Sequence, residues 1–505
     1  MIRRIRPILT SVSLMALAAP AAAQITVDDV WRNFDAAVAA FGGTSEATLT
    51  RAGSEVTVSG HEMRFAFPMG LGEAWVRIGD YKLIEADGAV SLVYPSVIEM
   101  SAGAEIVGEG SGEIFMEMHA GDYVTVATGE PGAISYTSSG DRLEVYMTDI
   151  VADGLSGLDL TGSIVMESYY AESRIIEDKL IVIYSRSEVG ETITEYEITD
   201  GMGFFTESRA VNGPTVSTAN VGLIPGGANI LNLSQALRDG MYISIDVAGA
   251  EAESYTYTSF DGRMEQEQDY ATAGNEMSMR LDRDALEVSG TVRGLLFNMV
   301  STDFGMPNVG FDADEIGMGF RMPLLSSPAP QDFGYDLSLD ALRLGPSIWA
   351  LFDPDKVLPR GPASLDLDLG GQMILGADLP DLLALPELGG RQDVPIQVTA
   401  IDIARFAFSA LGITADSEGT FELDYENYSM IPGVPWPRGS GRAEVEGLNG
   451  AIDRFVELGL IGSDEVLGLR MMISLGTVVA GDDRLTSEIE FTEDGGIIAN
   501  GQPLR

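Results

Sequence analysis

His61 in "VSGHEMRF" and His119 in "FMEMHAGDY" are the only two histidines in the 505-residue chain, so any imidazole chemistry must use one of them. Neither has a second ligand at the spacing of a zinc site, and no H-E-x-x-H occurs. A catalytic serine would be expected in a G-x-S-x-G turn between a strand and a helix. "GEGSGEI" at 108–114 comes nearest and has neither the spacing nor that context. The glycine runs carry no P-loop or dinucleotide fingerprint. Cysteine is absent, which removes disulfides, thiolate nucleophiles and Cys-based metal sites.

Carboxylates are the remaining reactive groups. Asp312, Asp314 and Glu315 cluster in "FDADEIG", Asp366 and Asp368 alternate with leucines, and Asp482 and Asp483 are adjacent. A glycosidase needs two carboxylates across a cleft, an arrangement that sequence spacing does not reveal. A calcium loop needs oxygen ligands at fixed offsets, and "DADEIG" misses them. Alternation alone places Asp366 and Asp368 on the solvent face of one strand. The residues therefore assign no catalytic, cofactor-binding or metal-ligating position, and no cofactor.

Net charge bounds the partners. With 77 acidic and 30 basic residues the chain carries −47. Such a surface repels phosphate backbones and anionic headgroups, so nucleic acid is excluded as a partner. The first residues read as a secretory signal peptide. Arg3, Arg4 and Arg6 precede an apolar core from Ile8 to Ala19, and Ala21-Ala22-Ala23 supplies a small-residue cleavage motif. Removing those three arginines leaves 27 basic residues against 77 acidic ones, a net −50. No later segment reaches the ~18 apolar residues of a membrane helix. The expectation is an exported, periplasmic or secreted protein with no membrane span after cleavage at Ala23.

The elements that would position these groups are mostly strands. "LEVYMTDI", "DKLIVIYSRSEVGETITEYEIT", "MYISIDV", "FGYDLSLDALRLG" and "ASLDLDLGG" alternate and are separated by Gly, Asp and Asn. This is the signature of antiparallel sheet with one face buried. Helices are few. "VDDVWRNFDAAVAAFGG" puts Val27, Trp31, Phe34, Val38 and Phe41 on one stripe. "LNGAIDRFVELGLIGSDEVLGLRMMISLG" reads as a helical pair near 448–476, broken at Gly462 with Ser463 as N-cap. Its apolar positions, including Ile452, Phe455, Leu460, Leu467 and Met471, are expected to pack on the sheet. The fold class expected is mainly β, with elongated, curved antiparallel sheet or sheets and a few covering helices. Residues 24–225 form an N-terminal half behind the leading helix, and 226–505 a C-terminal half. Candidate connections are 220–232 and 322–334.

One stretch stands out, "PSIWALFDPDKVLPRGPASLDLDLGG" from Pro346 to Gly371. Pro346 suits a helix start and Asp353-Pro354 ends it, so one turn places Trp349 and Phe352 on the same side. A rigid plug of this kind suits the end or open edge of a curved sheet. The same stretch resembles a signature of the exported bacterial family filed as domain of unknown function 2125. "RFAFSALGITADSEGTFELDYEN", "GSGRAEVEGLNGAIDRFVELGLI" and "GDDRLTSEIEFTEDGGIIANGQPLR" are similar to it as well, so the likeness covers roughly 280–505. It implies export and a β-rich fold, and names no reaction.

Apolar surface is what remains to carry function. Phe333, Tyr335, Leu337 and Leu339 share one face of a strand, as do Ile243, Ile245 and Val247. A sealed core and an open lipid-holding groove require the same pattern. The leading expectation is a non-enzymatic envelope protein whose curved sheet binds or shields an apolar ligand such as a lipid. The alternative is an acidic, cation- or salt-stabilised scaffold without a small ligand. A hydrolase using His61 or His119 is third.

Overall fold

A computed structural model describes residues 24–504 apart from 68–69, 155–156, 228–231, 303–307, 384–395 and 429–434. The signal-peptide segment expected at 1–23 and part of the 220–232 connection lie outside the described residues. Helix α1 (Val27–Ala40) opens on a capping box. The Thr26 hydroxyl accepts from the Asp29 N–H, and the Asp29 carboxylate accepts from the Thr26 N–H.

From Gly43 onward the chain is an up-and-down meander. Its first passes are β1 (Gly43–Ala52) and β2 (Glu55–Ala66). Three passes of two strands each follow, β3 (Gly72–Ile78) with β4 (Tyr81–Ala86), β5 (Ala89–Val93) with β6 (Val97–Ile106), and β7 (Gly110–His119) with β8 (Val124–Glu130). β9 (Ala133–Ala152) and β10 (Asp159–Glu177) are long single strands. Next come β11 (Ile181–Val189) with β12 (Thr192–Thr199) and β13 (Phe204–Asn212) with β14 (Thr215–Leu223). After α2 (Leu233–Arg238) follow β15 (Tyr242–Gly249) with β16 (Ala252–Phe260), and β17 (Arg263–Thr272) with β18 (Gly274–Leu281). β19 (Leu286–Ser301), β20 (Val309–Met322), β21 (Gln331–Leu344), α3 (Pro346–Phe352), β22 (Ala363–Leu375) and α4 (Leu379–Leu383) continue the order. The chain goes on through β23 (Ile396–Ala410), β24 (Ile413–Tyr428), β25 (Pro435–Glu446), α5 (Leu448–Glu457) and α6 (Ser463–Gly476). It closes with β26 (Val478–Gly481), β27 (Arg484–Phe491), β28 (Ile497–Ala499) and β29 (Gln502–Pro503).

Every pairing is antiparallel, and as far as β25 it joins passes that follow one another in the chain, so sheet order there is sequence order; β25 then pairs with β27, and β26 lies on the far edge of β27. β10, for example, has β9 on one edge and β12 and β11 on the other. The sheet is continuous across the expected division at 225, where β14 pairs with β15. The fold is thus mainly β, one large antiparallel sheet with a few helices, as the alternation predicts. At about 4.8 Å per strand, the succession from β1 to β27 extends roughly 90 Å along its hydrogen bonds.

A seam of irregular backbone crosses the sheet. Gly60, Ser168, Gly294 and Ala341 have φ of 63°, 51°, 60° and 52°. The breaks within the paired passes fall beside them. The Gly190 N–H donates to Ser168 O at 2.9 Å, and the Ala273 N–H to Arg293 O at 2.8 Å. Extra residues in a strand bend it and increase its twist, so a bulge repeated from pass to pass curves the whole sheet lengthwise.

Helices cover the sheet only locally. Beneath α1 lies a sealed cluster of Val27, Val30, Val56, Val58, Leu83, Val90 and Ile134. A second joins Ala37 and Ala40 to Ile175, Ile181, Val221 and Leu223 beside α2, and a third joins Leu237 to Leu324 and Leu325. The expected 322–334 connection is therefore a packed one. Ser463 is the first residue of α6 rather than its N-cap. Gly462 holds that position, its N–H donating to Glu465.

Candidate functional site: an uncharged sheet face left open

Residues directly opposite in an antiparallel pair share a face, so the pairing register identifies two faces across all passes. The inward face is the one that carries the clusters under α1 and α2. Along it, Ile134, Ile175, Ile183, Val221, Ile243, Leu281, Leu286 and Met322 form one row, each paired to the next. A parallel row runs Val247, Met277, Gly290, Met318, Leu337, Leu367 and Phe406. Among the described residues, the inward positions of β11 to β25 and of β27 hold no Asp, Glu, Lys or Arg apart from Arg263, which stands opposite Phe260 at a strand end.

Outward neighbours are the reverse. Next to the second row runs Asp246, Ser278, Ser289, Gly319, Asp336, Asp368 and Arg405. The acidic surplus is thus confined to one side, and arginines pair with part of it, as in Arg405–Asp366 at 3.1 Å. Open depressions such as the one of 490 Å³ bordered by Asp340, Asp366, Arg405 and Asp416 reach this charged side.

The inward face is not sealed. Among the described residues between Leu286 and Tyr428, the buried large hydrophobics are Leu324, Leu325, Trp349, Leu358, Met373 and Leu375, which lie at strand ends or in connections. Phe333, Tyr335, Leu337, Leu339, Leu367 and Phe406, in mid-sheet, are only half-buried. Met277 and Met318 are 48% and 50% exposed. An uncharged surface of this extent left accessible in a chain of charge −47 is the feature that local packing does not explain.

The two histidines lie on opposite faces. His119 is outward, 3.5 Å from Glu117, with its ring edge-on to Tyr146 at 4.9 Å. His61 is inward and 2% exposed beneath α1, its ring 5.2 Å from Trp31 and 5.4 Å from Phe34. Its Nε2 is 3.1 Å from Ser45 Oγ and its Nδ1 is 3.0 Å from Tyr81 Oη. Burial pushes the imidazole pKa down, so the ring is held neutral. Burial likewise pushes the nearby Asp35 carboxyl up, against hydrogen bonds from Ser45 and Trp31. Ser45, His61 and Tyr81 form a hydrogen-bonded chain that sequence inspection missed, because its members belong to three separate strands. It is enclosed by α1 and has a tyrosine, not a carboxylate, behind the imidazole. As built, it anchors the helix.

The other candidates resolve into structural roles. Arg343 holds Asp312 and Asp314 at 2.7 and 2.8 Å, and Arg293 is 3.4 Å from Glu315. Arg343 also keeps the Asp314 carboxyl below the usual carboxylate range. Asp483 accepts from the Asn449 and Gly450 N–H groups at the start of α5. Ser111 of "GEGSGEI" donates through N–H and hydroxyl to Asp153 in an exposed turn. Among the described residues, no three His, Asp or Glu are grouped so as to hold a metal ion, and no helix is long and apolar enough to cross a membrane.

The plug behaves as its prolines predict. Trp349 is buried, 5.1 Å from the Phe352 ring, with the Arg360 guanidinium 5.1 Å over its face. Buried Asp353 ends the turn. Burial opposes its charge, but N–H donors of Val357 and Leu358 and the Arg360 guanidinium hold its carboxyl low. α3 packs on β20 at a strand end, where the Gly345 N–H donates to Gly310 O. Trp349 therefore belongs to the rim, whereas Leu367 lies on the open face. No protein-family model matches the chain, and no curated protein sequence matches it.

Proposed function

We propose that this chain is an exported, non-enzymatic envelope protein whose inward face binds or shields the acyl part of a lipid. The observation that carries the reading is the half-exposed row from Met277 through Met318 to Leu367, on a face whose mid-sheet positions carry no charged side chain. Apolar surface gains about 25 cal/mol for each Å² removed from water, so acyl chains lying along this face would be held without any specific polar contact. Export rests on Arg3, Arg4, Arg6, the apolar run to Ala19 and the Ala21–Ala23 motif. The family likeness read over 280–505 fits the same assignment. At the acidic cluster singled out in the sequence, Asp312 and Asp314 share Arg343, which speaks against a calcium loop at that position.

Native mass spectrometry of the chain isolated from its own cells, followed by organic extraction, tests the reading. A stoichiometric lipid-sized mass released by solvent is expected. A bare polypeptide mass, together with no uptake of added hexadecanoate, would sink it.

A further inference from the structure

Helix α6 departs from the packing expected of it. Val466, Leu469, Arg470 and Ile473 turn toward the protein, whereas Leu467, Met471, Met472 and Leu475 are 69%, 60%, 66% and 70% exposed. Positions 467, 471 and 475 recur every four residues, and Gly468 and Met472 lie beside them, so these side chains form one continuous apolar face. The helix is held from behind. Arg470 reaches Asp453 of α5 at 2.6 Å, and the Gly476 carbonyl accepts from Ser487 Oγ at 2.7 Å and Asn500 Nδ2 at 3.0 Å. Of the charges of α6, Asp464 stands at the N-terminal end of the exposed face, three residues before Leu467 and seven before Met471. Asp464 and Glu465 sit in its first turn, and Arg470 is committed to Asp453.

We propose that α6 docks on a zwitterionic lipid bilayer, lying in its surface and placing the end of the open sheet face against the membrane. This rests on the lipid-holding reading above and names the surface with which that face exchanges. Four observations select the partner. Beyond Asp464 in the first turn the face carries no charge, so hydrophobic burial must drive docking. The chain's −47 opposes an anionic surface, leaving a zwitterionic one. Fourteen residues span about 21 Å, too short to cross a bilayer and suited to its interface. The patch also adjoins the sheet face, because exposed Val479 of β26 pairs with Leu485, which lies in one row with Val445 and Ala415. A second copy of the chain fits less well. Even with exposed Val478 and Val479 beside them, the four side chains, each on the order of 100 Å², make a patch of about 600 Å², short of the ~800 Å² per partner that a specific dimer buries.

Flotation with vesicles tests this, using the chain from Gln24 onward, which contains every described element but not the apolar leader. The chain is expected to float with phosphatidylcholine vesicles, and less when phosphatidylglycerol is included. Leu467→Asp and Met471→Asp should each reduce flotation about tenfold while leaving the melting temperature unchanged, since both positions are already in water. Hexadecanoate uptake measured by native mass spectrometry should be unaffected by either variant, which separates failure of docking from failure of the lipid-holding face. Absence of flotation by the unaltered chain, or full flotation by both variants, would overturn the proposal. So would a dimer by light scattering that the same variants dissociate.

Discussion

Met277 and Met318 stand on either side of Gly290 in one cross-strand row, facing the same way, and each leaves about half of its side chain open. Methionine in mid-sheet is ordinarily core. Here the central residue has no side chain to fill the row and nothing among the described residues lies over it. Met is flexible and polarizable and so adapts to irregular apolar partners. That suits a face that holds chains rather than one fixed molecule.

The first prediction concerns this row. Met318→Asp or Leu367→Asp should abolish uptake of hexadecanoate yet cost less than ~2 kcal/mol of stability, because a half-exposed aspartate keeps its hydration. Val58→Asp, fully buried beneath α1, should cost more than ~4 kcal/mol by the same reasoning. Urea denaturation and native mass spectrometry on the three variants separate the two effects. Equal losses of stability at all three positions would mean that the row is sealed core.

A second prediction follows from His61. Its folded pKa is depressed by burial, so the unfolded chain binds the proton more readily. Stability should therefore be full above the unfolded value of 6.5 and fall as pH drops below it, by at most ~1.4 kcal/mol per pH unit for one proton. Asp35, whose carboxyl is raised by burial, acts in the opposite sense in more acidic solution, where its protonation removes a buried charge. Denaturation curves between pH 7.5 and 5.5 should show a flatter dependence for His61→Gln than for the unaltered chain. Identical slopes would exclude a neutral buried imidazole.

The seam supplies a third. Gly294 has φ of 60°, and a Cβ there would lie 2.8 Å from the Ala273 Cβ. Gly294→Val should cost about 2–4 kcal/mol from left-handed strain and overpacking together. Ala341, with φ of 52°, is already a non-glycine in that region. Ala341→Gly should be neutral or stabilising by up to ~1 kcal/mol. Chemical denaturation checks both signs.

The plug yields the fourth. Trp349 is 6% exposed between Phe352 and Arg360, so Trp349→Ala should cost about 3–5 kcal/mol. Hexadecanoate uptake should survive in the folded fraction, because the ring lies at the rim. Loss of uptake with stability unchanged would move Trp349 onto the binding face.

Much of this molecule follows from sequence alone. Strict alternation around Leu365, Leu367 and Leu369 against Asp366 and Asp368 sets which side of the strand is charged, because successive side chains point opposite ways. The helical pair falls at Leu448–Glu457 and Ser463–Gly476, where the apolar spacing and Gly462 put it. Tertiary structure decided the rest. Alternation is the same for a face covered by a second layer and for one left open, so only the packing shows that Met318 and Leu337 are uncovered. Ser168 and Ala341 carry no sign of a left-handed backbone, which their neighbours in the sheet impose. Leu467 and Met471 have the spacing of a packed stripe, yet point away from the sheet. Ser45, His61 and Tyr81 meet only because three strands lie side by side. Residue order specifies what each side chain prefers, and only the arrangement of distant strands determines whether that preference is met within the chain.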